Sequence, residues 1–448
     1  MRVHFISIGG AVMHNMALAL HNMGYQVTGS DDEVFEPALS RLKNKGLLPE
    51  KFGWDVNRIT ADIDFIILGM HARADNPELL RAKELDLKIY SFPEYVYEHS
   101  KEKTRIVVGG SHGKTSTTAM IMHVLMQQGI DFDYLVGSQL AGFETMVKLS
   151  HAPIIVIEGD EYLTSALDLK PKFHWYKPHT AILTGIAWDH INVFPTYDFY
   201  VEQFKIFIDS IEPKGTLIYC EEDKDLCQLA EHSFQEESDS RKAKPYRVPQ
   251  HSIVNGTTTI HLNGTDYTLE VFGKHNLLNL QAAMMACETI GVSETQFWQS
   301  VSTFKGAAKR LEKVYETENL KIFRDFAHSP SKLKATVKAA VEQFEGFKLI
   351  GIFELHTFSS LNADFLKEYK DSMQGLDSAV VYFNSHVFEI KKMQMLSPEF
   401  VSEQFGNVQV INNKEQLLQK IKQELGSKAV LLLMSSGTFD GLDIKDLV

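Results

Sequence analysis

The chain has 448 residues, of which 44% are hydrophobic and 23% are charged. This balance excludes a disordered or collagen-like protein, and the length suggests about three domains. Lys and Arg total 45 against 58 Asp and Glu, so the net charge of -13 disfavours general nucleic-acid binding. Any anionic ligand must therefore meet positive charge that is concentrated locally.

Three cysteines without CxxC spacing argue against a disulfide framework or a structural zinc site. The longest apolar runs, such as residues 429–434, are too short to cross a bilayer. Glycines and His14 interrupt the amino-terminal apolar stretch, which is therefore predicted to be a strand and not a secretion signal. The sequence predicts a cytoplasmic protein with neither a nucleic acid nor a membrane as a partner.

Strand and helix patterns alternate from the first residues, which predicts an α/β fold. The predicted elements of the first unit are a strand at 3–8, a turn at Gly9-Gly10, a helix at 11–23 and strands at 25–28 and 62–68. The polar residues 98–103 break this pattern and are interpreted as a domain linker.

A second α/β unit is predicted to begin at residue 104. Its predicted elements are a strand at 105–108, a helix at 117–128, strands at 153–157 and 180–184, a polar surface excursion at 221–244 and hairpins at 251–271. The hairpins are predicted because Asn-Gly pairs at 255–256 and 263–264 suit tight turns. Residues 304–309 form a second predicted linker, and the remaining predicted strands are 348–353, 379–383 and 429–434.

A glycine-rich loop stands between an apolar strand and a helix. It reads Gly109-Gly110-Ser111-His112-Gly113-Lys114-Thr115-Ser116. Backbone N–H groups and the helix N-terminus can cradle phosphates in this context. Lys114 would reach the β- and γ-phosphates of a nucleotide, and the Thr115 hydroxyl would hold Mg²⁺. The loop is a shortened variant, because Val108 stands where the usual spacing has a glycine. The alternative is a glycine-rich turn with a surface lysine.

Two further candidate ligands follow neighbouring predicted strands. Glu158 ends the strand at 153–157, and in a parallel sheet this edge faces the phosphate loop. A carboxylate there suits Mg²⁺, whereas the alternative is a solvated acidic turn. Asp189-His190 follows the strand at 180–184, so His190 is a candidate metal ligand or, alternatively, a structural histidine.

Polar residues also open two later predicted helices. Asn276 and Asn279 are three residues apart, hence on one helix face, where their amides could read an adenine edge or cap the helix. Asp325 lies between a predicted strand and a helix starting near residue 331. Its carboxylate could accept a hydrogen bond from a ribose, position Mg²⁺ or act as a cap.

Six ordered motifs resemble those of the Mur ligases, the ATP-dependent amide-forming enzymes of peptidoglycan precursor synthesis. The motifs are GSHGKTS, EGDEY, WDH, GKHNLLN, the basic pair Lys309-Arg310 and DFAHSP. They cover essentially the whole chain. The amino-terminal segments ISIGGAVMHNMALAL, VTGSDD and Asn76-Pro77-Glu78 are similar to the subgroup that acts directly on UDP-N-acetylmuramate.

The resemblance implies an α/β fold of three domains. A Rossmann-like domain at 1–103 would bind the UDP sugar, a central P-loop ATPase domain at 104–306 would bind ATP, and a Rossmann-like domain at 307–448 would carry the amine substrate. The implied cofactors are ATP and Mg²⁺. The lactyl carboxylate would attack the γ-phosphate to give an acyl phosphate, and the amine would then displace phosphate.

The resemblance also implies roles for individual residues. The implied catalytic residues are Lys114, His190 and Arg310. The implied ATP-binding residues are Gly110, Ser111, His112, Gly113, Lys114, Thr115, Ser116, Asn276, Asn279, Arg310, Asp325 and His328. The implied magnesium ligands are Thr115, Glu158 and His190, and the implied UDP-sugar contacts are Gly9, Gly10, Ser30, Asp31 and His71.

Within this subgroup, one branch adds L-alanine, and the murein peptide ligases attach the tripeptide L-alanyl-γ-D-glutamyl-meso-diaminopimelate. The chain is more similar to the second branch at Glu161-Tyr162, at Phe353-Glu354 and over residues 434–439. The predicted amine is therefore the tripeptide, as in cell-wall peptide recycling. L-Alanine is the alternative, because Leu355-His356 stands where the tripeptide ligases typically have Pro-Arg.

Interpretations from other classes remain open. A nicotinamide-dependent oxidoreductase would use the first βαβ unit, in which Asp31 lies near the ribose-binding offset after Gly10, although Gly9-Gly10 does not extend to GxGxxG. A non-catalytic nucleotide-binding protein is a third possibility. Lys205, on a predicted helix at 198–211, stands at an offset where several Mur ligases carry a carbamylated lysine; a solvated lysine is the alternative. The oligomeric state is open.

Overall fold

The computed structural model describes residues 1–140, 142–165, 167–188, 193–234, 239–307, 310–426 and 428–447. The chain divides into two compact units, one made of Met1–Arg247 and Leu278–Ser300 and the other of Val248–Leu277 and Val301–Val448. The described strands form sheets of four, seven, three and six strands. Among the described residues, no helix combines the length and apolar character needed to cross a membrane.

The first sheet is entirely parallel, with strand order β2-β1-β3-β4. Its elements are β1 (Arg2–Ile6), α1 (Ala11–Asn22), β2 (Gln26–Ser30), α2 (Ala38–Asn44), β3 (Phe65–Leu68), α3 (Pro77–Glu84), β4 (Lys88–Ser91) and α4 (Phe92–Ser100). A capping box between Ser91 and Glu94 starts α4. Because α4 continues to Ser100, the polar segment predicted as a linker begins inside a helix.

The central sheet has the order β11-β10-β9-β5-β8-β6-β7 and is parallel except at β7. Its elements are β5 (Thr104–Gly109), α5 (Lys114–Gln127), β6 (Asp133–Leu135), β7 (Val147–Lys148), β8 (Ile154–Glu158), β9 (Thr180–Leu183), α6 (Tyr197–Asp209), β10 (Thr216–Cys220), α7 (Lys224–Ser233) and β11 (Lys242–Tyr246). Residues 221–244 are not a simple surface excursion, because α7 buries Leu226 and Ala230 against the sheet. β5 lies between β9 and β8, which fixes where the phosphate loop emerges.

Two hairpins follow, as the sequence predicts. They are built from β12 (His251–Val254), β13 (Thr257–Leu262) and β14 (Thr265–Leu269). Both residues of each Asn-Gly pair have positive φ, for example 51° at Asn255 and 77° at Gly256. Such angles suit the two-residue turns that match strand twist. The helices α8 (Lys274–Glu288) and α9 (Glu294–Val301) come next.

The C-terminal sheet has the order β15-β16-β20-β17-β18-β19, and only β15 is antiparallel. Its elements are β15 (Glu312–Glu316), β16 (Leu320–Asp325), α10 (Pro330–Gln343), β17 (Lys348–Glu354), β18 (Ser378–Tyr382), α11 (Ser385–Lys391), α12 (Pro398–Gln404), β19 (Gln409–Ile411), α13 (Lys414–Glu424) and β20 (Ala429–Met434). Leu333 and Val337 of α10 belong to one apolar core, and Leu417 and Ile421 of α13 belong to another. The sheet is therefore covered on both faces, which gives the doubly wound arrangement expected of a Rossmann-like domain.

Candidate functional site

The phosphate loop connects β5 to α5 through backbone conformations that need glycine. Gly110 has a φ of 121°, and a Cβ there would overlap the Thr184 hydroxyl. Gly113, the residue that precedes α5, has a φ of 84°, and a Cβ there would lie 2.5 Å from Asn279 Oδ1. The loop therefore exposes backbone at the N-terminus of a helix, the geometry that binds phosphate.

Lys114, the first residue of α5, is held inside this loop. Its ammonium group donates to the Gly110 carbonyl at 2.6 Å and pairs with Glu161 Oε2 at 2.6 Å. Burial alone would lower the pKa of Lys114, but the carboxylates of Glu161, Asp160 and Glu158 outweigh it and raise the pKa. The ammonium is therefore charged and lies beside the backbone of the loop.

Thr115 and Glu158 provide hard oxygen donors beside Lys114. The Thr115 hydroxyl donates to Glu158 Oε1 at 2.7 Å, and the Gly137 N–H donates to Glu158 Oε2 at 2.8 Å. In the part of the chain that the structure describes, no group of three or more His, Cys, Asp or Glu side chains could hold a metal. One carboxylate and one hydroxyl suit Mg²⁺, which usually keeps waters and substrate oxygens as its other ligands. His190 and Asp189 lie outside the described residues.

Hydrogen bonds from the segment that follows β9 and from α6 hold the phosphate loop in its conformation. The Ser111 N–H donates to the Gly185 carbonyl at 3.0 Å. The Ser111 hydroxyl accepts from the Ala187 N–H at 2.8 Å and lies 2.9 Å from the Tyr200 hydroxyl. Thr184 hydrogen-bonds the His112 carbonyl. These contacts hold the loop in place before any ligand binds.

The two amide residues at the start of α8 differ in their surroundings. The Asn276 amide donates to the Phe272 carbonyl at 2.8 Å, so it is bonded to the chain just before α8. Asn279 is buried, with its Oδ1 atom against the Gly113 backbone. Asn279 therefore lies at the phosphate loop, whereas Asn276 belongs to the other compact unit.

Asp325 organises the segment around it in the C-terminal sheet. Its carboxylate accepts from the N–H groups of Leu311 at 2.6 Å and Ala327 at 2.9 Å, and from the Thr336 hydroxyl at 3.0 Å. Burial raises the pKa of Asp325, and these donors oppose the shift only in part. Both carboxylate oxygens of Asp325 already accept hydrogen bonds from the chain. This favours a role in positioning the surrounding segment.

Two other predicted residues stand near Asp325. The Arg310 guanidinium lies 5.1 Å from the ring centre of Phe326, a cation–π contact. His328 Nδ1 lies 2.8 Å from the Phe326 carbonyl, and the His328 carbonyl accepts from the Tyr369 hydroxyl at 2.6 Å. Lys309, the other member of the basic pair, lies outside the described residues.

The predicted UDP-sugar residues occupy the carboxyl edge of the first sheet. Asp31 accepts from the Gly9 N–H at 2.7 Å, and burial raises the pKa of this carboxyl despite that bond. Gly10 precedes α1, and His71 is exposed after β3. Ser30 is fully buried and donates to Glu78 at 2.7 Å, so its hydroxyl already has a protein partner.

Lys205 does not meet the requirement for carbamylation. Its ammonium is exposed on α6 and pairs with Asp209 at 2.9 Å. The hydrogen bond and the charge of Asp209 raise the pKa of Lys205. Carbamylation requires a neutral amine and hence a lowered pKa. The structure therefore favours the solvated lysine.

Sequence reasoning missed several residues that shape the site. Thr184 and Tyr200 fix the phosphate loop, and Glu78 is a fully buried acid that accepts from Ser30 and from the Asp55 N–H at 2.9 Å. Burial would raise the pKa of Glu78, but hydrogen bonds from His4, Asp55 and Ser30 lower it. Two of these residues carried a signal in the sequence, Thr184 as the last residue of a predicted strand and Glu78 as part of the segment Asn76-Pro77-Glu78.

Three family descriptions match the chain in succession. "Mur ligase family, catalytic domain" matches residues 2–104, "Mur ligase middle domain" matches 108–287, and "Mur ligase, glutamate ligase domain" matches 309–437. These matches confirm the predicted three-part α/β architecture. The boundaries predicted at 103 and 306 remain predictions.

Curated relatives agree with these matches. The UDP-N-acetylmuramate–L-alanine ligase of Caldicellulosiruptor bescii is 31% identical, over 84% of this chain and 82% of the relative. The enzyme of the same name from Carboxydothermus hydrogenoformans is 27% identical, over 99% of this chain and 95% of the relative.

Two solved structures share the fold. The UDP-N-acetylmuramate–alanine ligase of Thermotoga maritima has a TM-score of 0.69 at 22% identity, with 98% of this chain and 97% of that chain covered. A murein peptide ligase from Psychrobacter arcticus has a TM-score of 0.63 at 22% identity, covering 100% and 98%.

The prediction that the amine is a tripeptide is contradicted by these comparisons. Both curated relatives described above bear the name of the L-alanine-adding enzyme, and so do most of the other similar curated proteins, although a relative from Haemophilus influenzae that is 27% identical over 99% of this chain bears the name of the tripeptide ligase. Most of the motifs behind the prediction surround nucleotide chemistry, which ligases with different amines share. The fold, the phosphate loop and the family matches agree on one point: this chain belongs to the Mur ligase family, the ATP-dependent, ADP-forming ligases of peptidoglycan synthesis.

Proposed function

We propose that the chain joins L-alanine to the lactyl carboxylate of UDP-N-acetylmuramate, with ATP converted to ADP and phosphate. The names of the curated relatives support the choice of amine and of sugar nucleotide. The observation that carries the chemistry is the cluster of Lys114, Thr115 and Glu158 at the carboxyl edge of the central sheet.

We assign the substrates to segments of the chain. Residues 1–103 would hold the UDP sugar, with Gly9, Gly10 and Asp31 at the strand edge. Residues 104–306 would hold ATP, and residues 307–448 would hold the amine. The carboxyl edges of parallel strands support this assignment, since ligands of open α/β sheets bind there.

The phosphate loop has the geometry that suits a nucleoside triphosphate. Gly110 and Gly113 keep side chains out of the space beside the backbone N–H groups, and α5 directs its N-terminus to the loop. Ser111, His112 and Ser116 complete the proposed loop contacts. ATP supplies the γ-phosphoryl group that activates the lactyl carboxylate.

Lys114 would change partners when phosphates bind. Its ammonium is held by Glu161 and by the Gly110 carbonyl, both at 2.6 Å. A phosphate oxygen in the loop can take the place of these acceptors, and the ammonium then balances the charge that develops during phosphoryl transfer. Such stabilisation acts mainly on the transition state, which makes it catalytic.

Thr115 and Glu158 would hold Mg²⁺, with His190 as a further proposed ligand. The ion would supply charge neutralisation between the phosphate and the carboxylate. Glu158 is kept in place by the Gly137 N–H, so its second oxygen faces Thr115.

The test is release of phosphate from ATP in the presence of Mg²⁺ and UDP-N-acetylmuramate, with L-alanine or the tripeptide as the amine. We expect turnover that requires both UDP-N-acetylmuramate and L-alanine, and a higher kcat/KM for L-alanine. A higher kcat/KM for the tripeptide would overturn the choice of amine. Amine-independent phosphate release, or no dependence on the UDP sugar, would overturn the proposed reaction.

A further inference from the structure

The loop between β6 and β7 carries the N–H group that holds Glu158. The structure describes residues 137–140 and 142–146 of this β6–β7 loop. The Gly137 N–H donates to Glu158 Oε2 at 2.8 Å. A Cβ added at Gly137 would lie 3.1 Å from Glu158 Oε1, closer than most contacts of a Cβ atom. The position of the loop backbone therefore decides where the Glu158 carboxylate lies.

One end of the β6–β7 loop is anchored by Asn15, a fully buried residue of α1. Asn15 Oδ1 accepts from the Met146 N–H at 3.1 Å. The Met146 carbonyl in turn accepts from the N–H of Val136, the residue before Gly137, at 2.9 Å. A hydrogen bond from α1 is thus connected, through the backbone of Met146, to the part of the loop that holds Glu158.

Arg41 of α2 connects the same anchor to the other end of the loop. Its guanidinium donates from Nη1 to Asn15 Oδ1 at 3.2 Å and from Nη2 to Gln139 Oε1 at 3.0 Å. Gln139 also donates to the Phe143 carbonyl across the loop. The planar, rigid guanidinium fixes the two acceptors relative to each other. Side chains of α1 and α2 therefore hold both ends of the β6–β7 loop.

The Asn15 amide is itself held in one orientation. Its Nδ2 donates to the Ala11 carbonyl at 2.8 Å and lies 3.0 Å from His14 Nε2. Burial lowers the pKa of His14, so the ring is neutral at pH 7. A neutral ring that donates from Nδ1 to the Gly10 carbonyl, 2.9 Å away, accepts at Nε2. The Oδ1 atom of Asn15 is therefore directed to the loop before any ligand binds.

We propose that Arg41 and Asn15 position Glu158 for Mg²⁺ by fixing the β6–β7 loop. This inference rests on the part of the proposed function that makes Glu158 a magnesium ligand. Mg²⁺ demands near-ideal geometry, so a displaced carboxylate binds it less well. Groups that orient a metal ligand from outside tune its affinity for the metal. Arg41 and Asn15 are thus positioning residues that act through the backbone of the loop.

The first test is a double-mutant cycle on Arg41 and Gln139, which meet near the surface. Arg41→Ala, Gln139→Ala and the double variant are titrated with adenosine 5′-(β,γ-imido)triphosphate in a calorimeter at a series of Mg²⁺ concentrations. The readout is the Mg²⁺ concentration that gives half of the maximal affinity for this analogue. We expect each single variant to raise it about threefold to tenfold, less than the roughly 10- to 100-fold typical of a direct partner of a metal ligand. The double variant should resemble Arg41→Ala, because both changes break one connection.

Two further variants calibrate this cycle. Arg81→Ala is the matched control, since Arg81 pairs with Glu84 on its own helix α3 at 2.9 Å. The Mg²⁺ requirement should be unchanged in this control. Gly137→Ala is the positive reference, because its added methyl group would press on the Glu158 carboxylate. We expect it to raise the Mg²⁺ requirement at least as much as Arg41→Ala does. A merely structural role of Arg41 would not raise the requirement for Mg²⁺.

Hydrogen exchange tests the loop itself and needs no ligand. Asn15→Leu keeps the bulk of the side chain but leaves the Met146 N–H without its acceptor. We expect the amides of residues 136–147 to exchange faster in Asn15→Leu and in Arg41→Ala than in the native protein. Exchange in β5 and α5 should be unchanged. If Asn15→Leu does not fold, Arg41→Ala still decides, because its side chain is only half-buried.

The outcomes separate this inference from the function on which it rests. An unchanged Mg²⁺ requirement in Arg41→Ala and Gln139→Ala overturns the positioning role, and so does an equal increase in Arg81→Ala. If Glu158→Gln leaves the Mg²⁺ requirement unchanged, the magnesium role of Glu158 fails and this inference fails with it. If phosphate release does not depend on L-alanine, only the proposed amine fails, since neither measurement uses an amine.

Discussion

At the carboxyl edge of the central sheet, acids stand beside lysines. Asp160 pairs with Lys172 at 2.6 Å, and Glu161 pairs with Lys114 at the same distance. Burial would raise the pKa of Asp160, but the two lysines lower it. Two of the acids at this edge are therefore paired with lysines of the protein itself.

The carboxyl edge of the C-terminal sheet is arranged in the opposite way. Glu354 receives hydrogen bonds from Ser435 and from the Phe439 N–H but pairs with no lysine or arginine among the described residues. Burial raises the pKa of Glu354, and these donors oppose the shift only in part.

This difference shows that two mainly parallel sheets of one chain can surround the acids at their edges differently. At the first edge, a phosphate bound at the loop would compete with Glu161 for Lys114, so binding would exchange one anion for another. At the second edge, a hydroxyl and a backbone N–H hold the Glu354 carboxylate. The first arrangement keeps Lys114 in position.

Replacing Lys114 removes one of the lysines at the carboxyl edge of the central sheet, and we expect it to have the largest effect on turnover. Lys114→Met removes the ammonium but keeps the bulk of the stem, so we expect kcat to fall by about 100-fold or more. Steady-state phosphate release measures this, and circular dichroism should show an intact fold. Turnover within about threefold of the native rate would refute the role of Lys114.

Asp133 on β6 extends the comparison to a third lysine-paired acid of the first unit. Lys103 pairs with it at 2.7 Å. Burial alone would raise the pKa of Asp133, but hydrogen bonds from His99, Lys103 and Ser150 lower it to about 2. We expect Asp133→Asn to lower the free energy of unfolding at pH 7 by about 2–4 kcal/mol.

The same variant has a characteristic pH dependence. A lowered pKa gives stability that is complete above the unfolded-state pKa of about 4 and is lost as the pH falls toward 2. Denaturant titrations between pH 5 and pH 2.5 should therefore show the native protein and Asp133→Asn converging. A constant difference across this range would contradict the assignment.

Glu354→Gln tests the buried acid that pairs with no lysine or arginine among the described residues. We expect it to change the free energy of unfolding less than Asp133→Asn does. A raised pKa gives stability that is complete below the unfolded-state pKa and is lost as the pH rises through the folded-state pKa. We expect the advantage of the native protein over the variant to shrink by about 1 kcal/mol between pH 4.5 and pH 7.5. The opposite slope would place Glu354 in the same class as Asp160.

Lys205→Ala supplies the smallest expected effect. Its ammonium is exposed and pairs only with Asp209, four residues along α6. Such exposed pairs contribute little to stability, because water screens the two charges. We expect turnover to be unchanged, with or without added bicarbonate. A loss of activity that acetate or bicarbonate restores would revive the carbamylation hypothesis.

The sequence by itself determined the local elements and the phosphate loop. Apolar runs predicted β5, β17 and β20, and the Asn-Gly pairs predicted both hairpins. The order of strand, glycine-rich loop and helix located Lys114 and Thr115. These features depend on short-range periodicity and on backbone angles that particular residues favour, so a short segment contains the information.

Only the tertiary structure decided which groups meet. Glu161 is far from Lys114 in the chain, and the two pair because β8 lies beside β5 in the sheet. The hydrogen bonds of Glu354 are equally non-local, because Ser435 and Phe439 come from the C-terminal segment more than 80 residues along the chain. Strand order and burial set these distances and desolvation costs, and neither is written in a local pattern of residues.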